Sequence, residues 1–346
     1  MIPLRLLFLA ALLLPPAKST AAQEESIVVF QSAAIEYDPA GPERASRDGY
    51  ESRHHGQIIE ALVKLPDRPH NLRAQRQIIL HLEVTPAIIE ETQGARIADP
   101  WTRLGSVTLI LPAAAVLPDG PDTAELMRFV TGFGGQTTFE EDVTAFAPLL
   151  SGDTTLRVEI STFLKPGWNV SMRIEYRPGR AGYRRPLLAM PVFTAAKLTS
   201  EQSRLTQRIT IADGLSLPRI RILSTGHGAR QEFLTSTHVL RIDGVEVARW
   251  RPWREDAGNL HEINPTSYRE DIDGRVLWSS DIDRAGWIPG ERVEALMLPM
   301  PELTPGPHTI EIFVEGILPP SEGGDSGGYW RFSAVVLADE PWPRKE

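Results

Sequence analysis

The sequence predicts an all-β protein built from antiparallel sandwiches. Three observations carry this expectation. Short runs rich in Val, Ile, Thr and aromatics recur along the chain, and several of them alternate polar with apolar residues. The 27 glycines and 29 prolines are scattered between these runs as punctuation and do not gather in a low-complexity tract. Long amphipathic helical patterns are hard to find, and many short strands at this spacing suit two sandwiches.

The runs fall into two series. The first holds "RQIILHLEVTP" (76–86), "SVTLILPAAAV" (106–116), "TTLRVEIST" (154–162) and "NVSMRIEYRPG" (169–179). The second holds "RLTQRITIA" (204–212), "PRIRILSTG" (218–226), "THVLRIDGVEVARW" (237–250), "VEALMLPMPEL" (293–303), "HTIEIFVEGI" (308–317) and "YWRFSAVVLA" (329–338). Between the series lies "RPGRAGYRRP" (177–186), whose glycine, proline and arginines read as a solvated joint. Two domains are expected, 23–180 and 181–346, since about 320 residues exceed what one hydrophobic core usually serves.

The first 22 residues are expected to be a secretory leader. Arg5 precedes the apolar run Leu6 to Leu14, and small residues at Thr20 and Ala22 set a cut between Ala22 and Gln23. That run is too short for an anchor, and no later segment has the length to span a bilayer, so a secreted or periplasmic protein is expected. The formal net charge of -9 argues against nucleic acid and anionic membrane as partners. Cysteine is absent, which removes thiolate nucleophiles, Cys-zinc sites, iron–sulfur clusters and a lipidated cysteine.

Most familiar motifs fail on spacing. His54 and His55 are adjacent, and neighbours on a strand point to opposite faces, so they rarely share one ion. The other six histidines show no HxH or HxxxH pattern, and no metal site or cofactor is expected. No GxSxG elbow occurs, and the glycines of "TGFGGQ" (131–136) do not open a helix, so a phosphate loop is disfavoured. Asn169-Val170-Ser171 satisfies the glycosylation sequon, which matters only in a eukaryotic secretory host.

Chemistry concentrates between 218 and 290. "ILSTGHGARQEFLTSTHVLRIDG" (222–244) places a Gly-His-Gly turn before Glu232-Phe233, and Trp250, Trp253, Trp278 and Trp287 follow. Flat aromatic faces stack on sugar rings, and nearby carboxylates or arginines fix hydroxyls and amides. A tryptophan-rich core is the competing reading.

The Gly-His-Gly turn, the Glu-Phe step, "THVLRIDG", "NP" (264–265) and above all "DRAGWIPG" (283–290) resemble the second domain of the peptide-N-glycosidase F family. "DPWTR" (99–103) and the stretch 127–179, with "DVTAFAPLLSG" (142–152), resemble its first domain. The resemblance implies two eight-stranded antiparallel jelly rolls side by side, with a site in the cleft between them. It also implies hydrolysis of the amide joining the innermost N-acetylglucosamine of an N-glycan to asparagine, without a metal. Carried over by position, Glu232 matches the family's glutamate before an aromatic, here Phe233. Arg284 and Trp287 match its Arg-Ala-Gly-Trp signature and are expected to hold the sugar.

Two positions depart from the pattern. The family's principal aspartate follows a tryptophan, whereas Trp101 is followed here by Thr102. Its supporting glutamate falls on Ser161, with Phe163 at an aromatic position, and its cysteine before Pro-Gly is Ile288. Threonine is no general base near neutral pH. Asp99 and Glu159, the latter on the face of Ser161, are the candidate compensating carboxylates. The expected function is therefore that of an exported protein of this type, acting on an N-glycan or related glycoconjugate, with glycan or glycopeptide as partner. The alternatives are a non-catalytic glycan receptor, a purely structural pair of jelly rolls, and a metal-dependent monooxygenase-like protein on a related architecture.

Overall fold

The structure, a computed structural model, describes residues 25–67, 76–92, 94–179, 184–228, 230–258, 260–272, 274–320 and 326–341. The expected leader 1–22 and the expected boundary at 180/181 lie outside the described residues. Among those residues the secondary structure is β-strand with short 3-10 turns, all strand pairs are antiparallel, and no helix is long and apolar enough to cross a membrane.

Two pairs of sheets account for nearly every strand. In the N-terminal sandwich one sheet runs Glu25–Ile35, Trp168–Pro178, Arg76–Pro86, Thr137–Asp142 in spatial order. The facing sheet runs Arg44–Arg47, Tyr50–Arg53, Ile58–Leu65, Gly152–Ile160, Leu104–Ile110, Thr123–Val130. In the C-terminal sandwich the sheets are Pro186–Leu198, Tyr329–Asp339, Ser216–His227, Leu296–Pro299 and Arg204–Ile211, Gly306–Glu315, Thr237–Ile242, Val245–Trp250. Setting aside the edge hairpin 44–53, the two sandwiches share one strand order. The first strand pairs with the eighth, the eighth with the third and the third with the sixth, while the facing sheet follows second, seventh, fourth, fifth. That hairpin gives the first sandwich sheets of four and six strands, where the family resemblance implied eight in all.

Alternation explains the central strands. Gly152–Ile160, Trp168–Pro178 and Gly306–Glu315 bury every second side chain, which stacks Trp168, Val170, Met172, Ile174 and Tyr176 on one inner face. Each such burial contributes roughly 1.5–3 kcal/mol. The run 237–250 is not one strand but a hairpin. Asp243 and Gly244 both take positive φ (51° and 81°), as a two-residue turn with right-handed twist requires.

The sandwiches are joined by more than a linker. Ala189, Val335 and Leu337 of the second pack into the core of the first. The edge strand Thr123–Val130 is continued by residues of the second sandwich: Val293 N donates to Arg128 O (2.8 Å), and Gly290 N to Val130 O (3.0 Å). A sheet edge is thereby closed by the neighbouring sandwich.

Candidate active site

The fifth-to-sixth connections of the two sandwiches meet and build the site. In the first this connection is the short turn 131–136; in the second it is the long excursion 251–295, with its own hairpin Arg269–Ile272/Arg275–Trp278. Phe133 N donates to Asn264 Oδ1 (2.7 Å), and Thr266 N to Phe133 O (3.1 Å). The glycines of "TGFGGQ" make room for this contact: a Cβ on Gly135 would stand 2.3 Å from Ile263 O.

The stretch 281–290 lies where the sandwiches join. Arg284 exchanges backbone hydrogen bonds with Arg254, and Ala285 N donates to Glu232 O (2.8 Å), which ties the signature to the Glu-Phe turn. Gly286 has φ +82°, and a Cβ there would meet Ser224 O at 2.5 Å, so only glycine fits.

Arg284 is 2% exposed. Its Nη1 donates to Ile282 O (2.8 Å) and its Nη2 to Ser279 O, while the buried Nε has no hydrogen-bond partner. The guanidinium lies between aromatic rings, 4.8 Å from Trp287 and 5.3 Å from Phe233. Burial lowers its pKa to about 10, against the opposing pull of Glu232 and Glu270. Glu232, half-buried on the turn Gln231–Phe233, places Oε2 3.9 Å from Arg284 Nε, outside hydrogen-bond range. Its pKa is raised by burial, opposed by Arg284 and reinforced by Glu270.

Two of the expected site residues are enclosed by their neighbours. Trp287 is 3% exposed, donates Nε1–H to Gly226 O (2.9 Å) and stacks on His227 (5.7 Å between centroids). Its indole is therefore a buried support beneath Arg284 and not an open stacking face. The exposed aromatics are Trp101 (49%), Phe163 (66%) and Tyr268 (42%), the last meeting Trp101 edge-on at 5.6 Å.

Asp99 is the second. It is fully buried, and its oxygens accept from Arg103 Nε (2.8 Å) and Nη2 (2.9 Å), Thr162 Oγ1 (2.6 Å), Trp168 Nε1 (3.2 Å) and Trp101 N (3.3 Å). With its oxygens so engaged, it fixes the loop that presents Trp101 and half-buried Thr102, and leaves no open carboxylate. Ser161 Oγ donates to Leu104 O (3.0 Å), and Phe163 lies under the Arg103 guanidinium (5.2 Å). Glu159 is held by Arg331 Nη2 (3.3 Å).

Glu232, Phe233, Arg284 and Trp287 thus form one cluster, with Trp101 joined to it through Tyr268. Burial raises the pKa of Tyr268 first, and Glu270 and Glu232 raise it further. Tyr329 lies near Glu232 and Arg331 together: burial raises its pKa, Arg331 opposes and Glu232 reinforces. Tyr268, Glu270, Tyr329 and Arg331 escaped the sequence reading. For the first two a signal existed, because Tyr268 and Glu270 alternate in a short strand-like run before Gly274.

Among the described residues no group of three or more His, Cys, Asp and Glu side chains is placed to hold a metal ion. His54 and His55 face Glu43 instead, and His55 Nδ1 lies 3.2 Å from Gly41 O.

Residues 195–337 match the family model described as Peptide-N-glycosidase F, C terminal. No curated protein sequence matches the chain. Among solved structures, PNGF-II superposes with a TM-score of 0.78 at 23% identity, covering 92% of this chain and 66% of that one. The chain therefore spans a little under two-thirds of PNGF-II. PNGase F, described as a glycosylasparaginase from Flavobacterium meningosepticum, superposes with a TM-score of 0.67 at 18% identity, covering 92% of this chain and 96% of that one. A peptide-N(4)-(N-acetyl-beta-D-glucosaminyl) asparagine amidase gives 0.69 at 18%, with 93% and 97% covered. These likenesses establish the fold.

Proposed function

With the chain peptide-N-glycosidase F-like in its family match and its fold, we propose that it acts on the amide between N-acetylglucosamine and asparagine in glycoproteins or glycopeptides. The observation that carries this reading is the pairing of Glu232 with Arg284. A carboxylic acid with a raised pKa stands beside a fixed guanidinium that has one unused N–H. Glu232 keeps its proton to higher pH than an ordinary glutamate and can deliver it to a leaving nitrogen. The free Arg284 N–H can hold a carbonyl or hydroxyl oxygen, which supplies orientation. Trp101, Tyr268 and Phe163 offer stacking faces to sugar rings. Phe233 and Trp287 hold the guanidinium.

Release of glycan from a denatured glycoprotein tests the proposal. Glu232→Gln is expected to lower that activity about 10²–10⁴-fold, and unchanged activity would remove the role assigned to Glu232. A second reading, a glycan receptor without turnover, is favoured by Thr102 and Ser161. Glycan binding by calorimetry with no release on long incubation selects it, and no glycan binding counts against both. Residues 1–22 are proposed as a leader removed on export, with domains 23–180 and 181–346; N-terminal sequencing of the exported protein should begin at Gln23.

A further inference from the structure

We propose that Glu270 is the second working carboxylate of this cleft, facing the ligand alongside Arg284 and Glu232 and taking the part that Thr102 cannot play. Its chemistry rests on the amide-hydrolysis reading above; its placement does not.

The hairpin register sets the geometry. Arg269 pairs with Trp278 and Glu270 with Leu277, and the Arg269 guanidinium lies 5.2 Å over the Trp278 ring. Arg269 and Trp278 therefore share one face of the hairpin, and Tyr268 and Glu270 the other. This second face is the one that meets the first sandwich. The Tyr268 ring meets Trp101 at 5.6 Å and Phe133 at 6.0 Å. Ser279 N donates to Tyr268 O (2.7 Å), and the carbonyl of the same Ser279 accepts from Arg284 Nη2. Ser279 thus bridges the start of the hairpin to the guanidinium, whose charge both Glu270 and Tyr268 feel.

Three groups there are under-satisfied. Glu270 is half-buried, and its carboxylate has no hydrogen-bond or ion-pair partner among the described residues. Glu232 comes no closer than 3.9 Å to Arg284, and Arg284 Nε is buried without a partner. Two open carboxylates beside an arginine with a spare N–H make a polar site that awaits a hydrogen-bonding ligand. The guanidinium disfavours a cation there and suits a neutral amide. Glu232 is faced by Arg284, Glu270, Tyr268 and Tyr329, and the charge of Glu270 adds to burial in raising the Glu232 pKa, against Arg284.

In the reaction, ionised Glu270 takes a proton from water while the water oxygen bonds to the asparagine carbonyl carbon. The C–N bond breaks, and the leaving nitrogen takes the proton held by Glu232. The products are an aspartate carboxyl group and a glycosylamine, and the proton on Glu270 returns to Glu232 through solvent.

Glu270→Gln is compared with the wild type and with Glu262→Gln, an exposed turn carboxylate, on an N-acetylglucosaminyl-asparagine peptide. A fall in kcat of about 10²–10⁴-fold is expected with little change in KM, partial recovery in Glu270→Asp and none of this in Glu262→Gln. Wild-type activity in Glu270→Gln overturns the proposal. Independently of turnover, a carbon-13 NMR titration follows the Glu232 carboxyl in the wild type and in Glu270→Gln. Loss of the neighbouring charge should lower the Glu232 midpoint, and an unmoved midpoint overturns the placement. A wild-type protein that hydrolyses nothing yet shows that shift removes the hydrolytic reading and keeps Glu270 in the site.

Discussion

Arg128 and Arg284 are both buried arginines at the junction of the two sandwiches, and they are treated in opposite ways. Arg128 uses every nitrogen. Nε and Nη2 clasp Glu125 at 2.9 and 2.6 Å, Nη1 donates to Thr225 Oγ1 (3.1 Å) and Arg331 O (2.5 Å), and Nη2 also reaches Ser333 Oγ (3.2 Å). Arg284 has two carbonyls, aromatic rings on its faces, and a carboxylate held just out of reach. A closed network fixes how the sandwiches dock; an open one keeps a donor ready for something else. Burial does not distinguish the two, since it is nearly the same for both; what their nitrogens bond to does.

The largest effect that would test this contrast is at the joint. Arg128→Met takes both guanidinium hydrogen bonds from buried Glu125 and leaves it Ser333 Oγ and the charge of Arg331, and breaking a buried ion pair costs about 3–5 kcal/mol. Urea unfolding should show that loss; a change below about 1 kcal/mol would mean the pair does not hold the joint. Arg284→Lys comes next. The charge remains while the spare N–H and the fork geometry go, so ligand affinity should fall about 10- to 100-fold, the worth of a charged hydrogen bond. Its effect on unfolding should be clearly smaller than that of Arg128→Met. If the two variants were equally unstable, Arg284 would be structural as well and the contrast would fail.

Local pattern made part of this legible. The runs 154–162 and 169–179 alternate and are the strands Gly152–Ile160 and Trp168–Pro178. Glu25–Ile35 was not found, because positive φ at Ser32 and shifts of register break its period. The shared strand order of the two sandwiches lay beyond the sequence, since it is set by pairings between distant segments. At the site, residue types were readable but their exposure was not. Trp287 is hidden by His227, sixty positions earlier in the chain, and Asp99 by Arg103 and Trp168. For Glu270 the alternation with Tyr268 is local, but which neighbours its face meets is set by the distant residues Trp101 and Phe133.

The smallest expected effect separates the two regions by sign. Burial opposes ionisation of Glu125, but the charge and hydrogen bonds of Arg128 outweigh it, and its pKa lies below the ordinary 4.5. Its contribution to stability is therefore present above the unfolded pKa and lost as pH falls through the folded one. Glu232 is the reverse: burial outweighs Arg284, and its pKa lies above 4.5. Its contribution is complete below the unfolded pKa and is lost as pH rises through the folded one. Unfolding free energies measured from about pH 3 to pH 7 should then move in opposite directions. Relative to the wild type, Glu125→Gln should become less stable as pH rises and Glu232→Gln more stable. Slopes of the same sign would show that Glu232 is as well compensated as Glu125. In that case the open guanidinium would not be poised for a ligand, because a well-paired glutamate has no raised affinity for its proton to offer a leaving nitrogen.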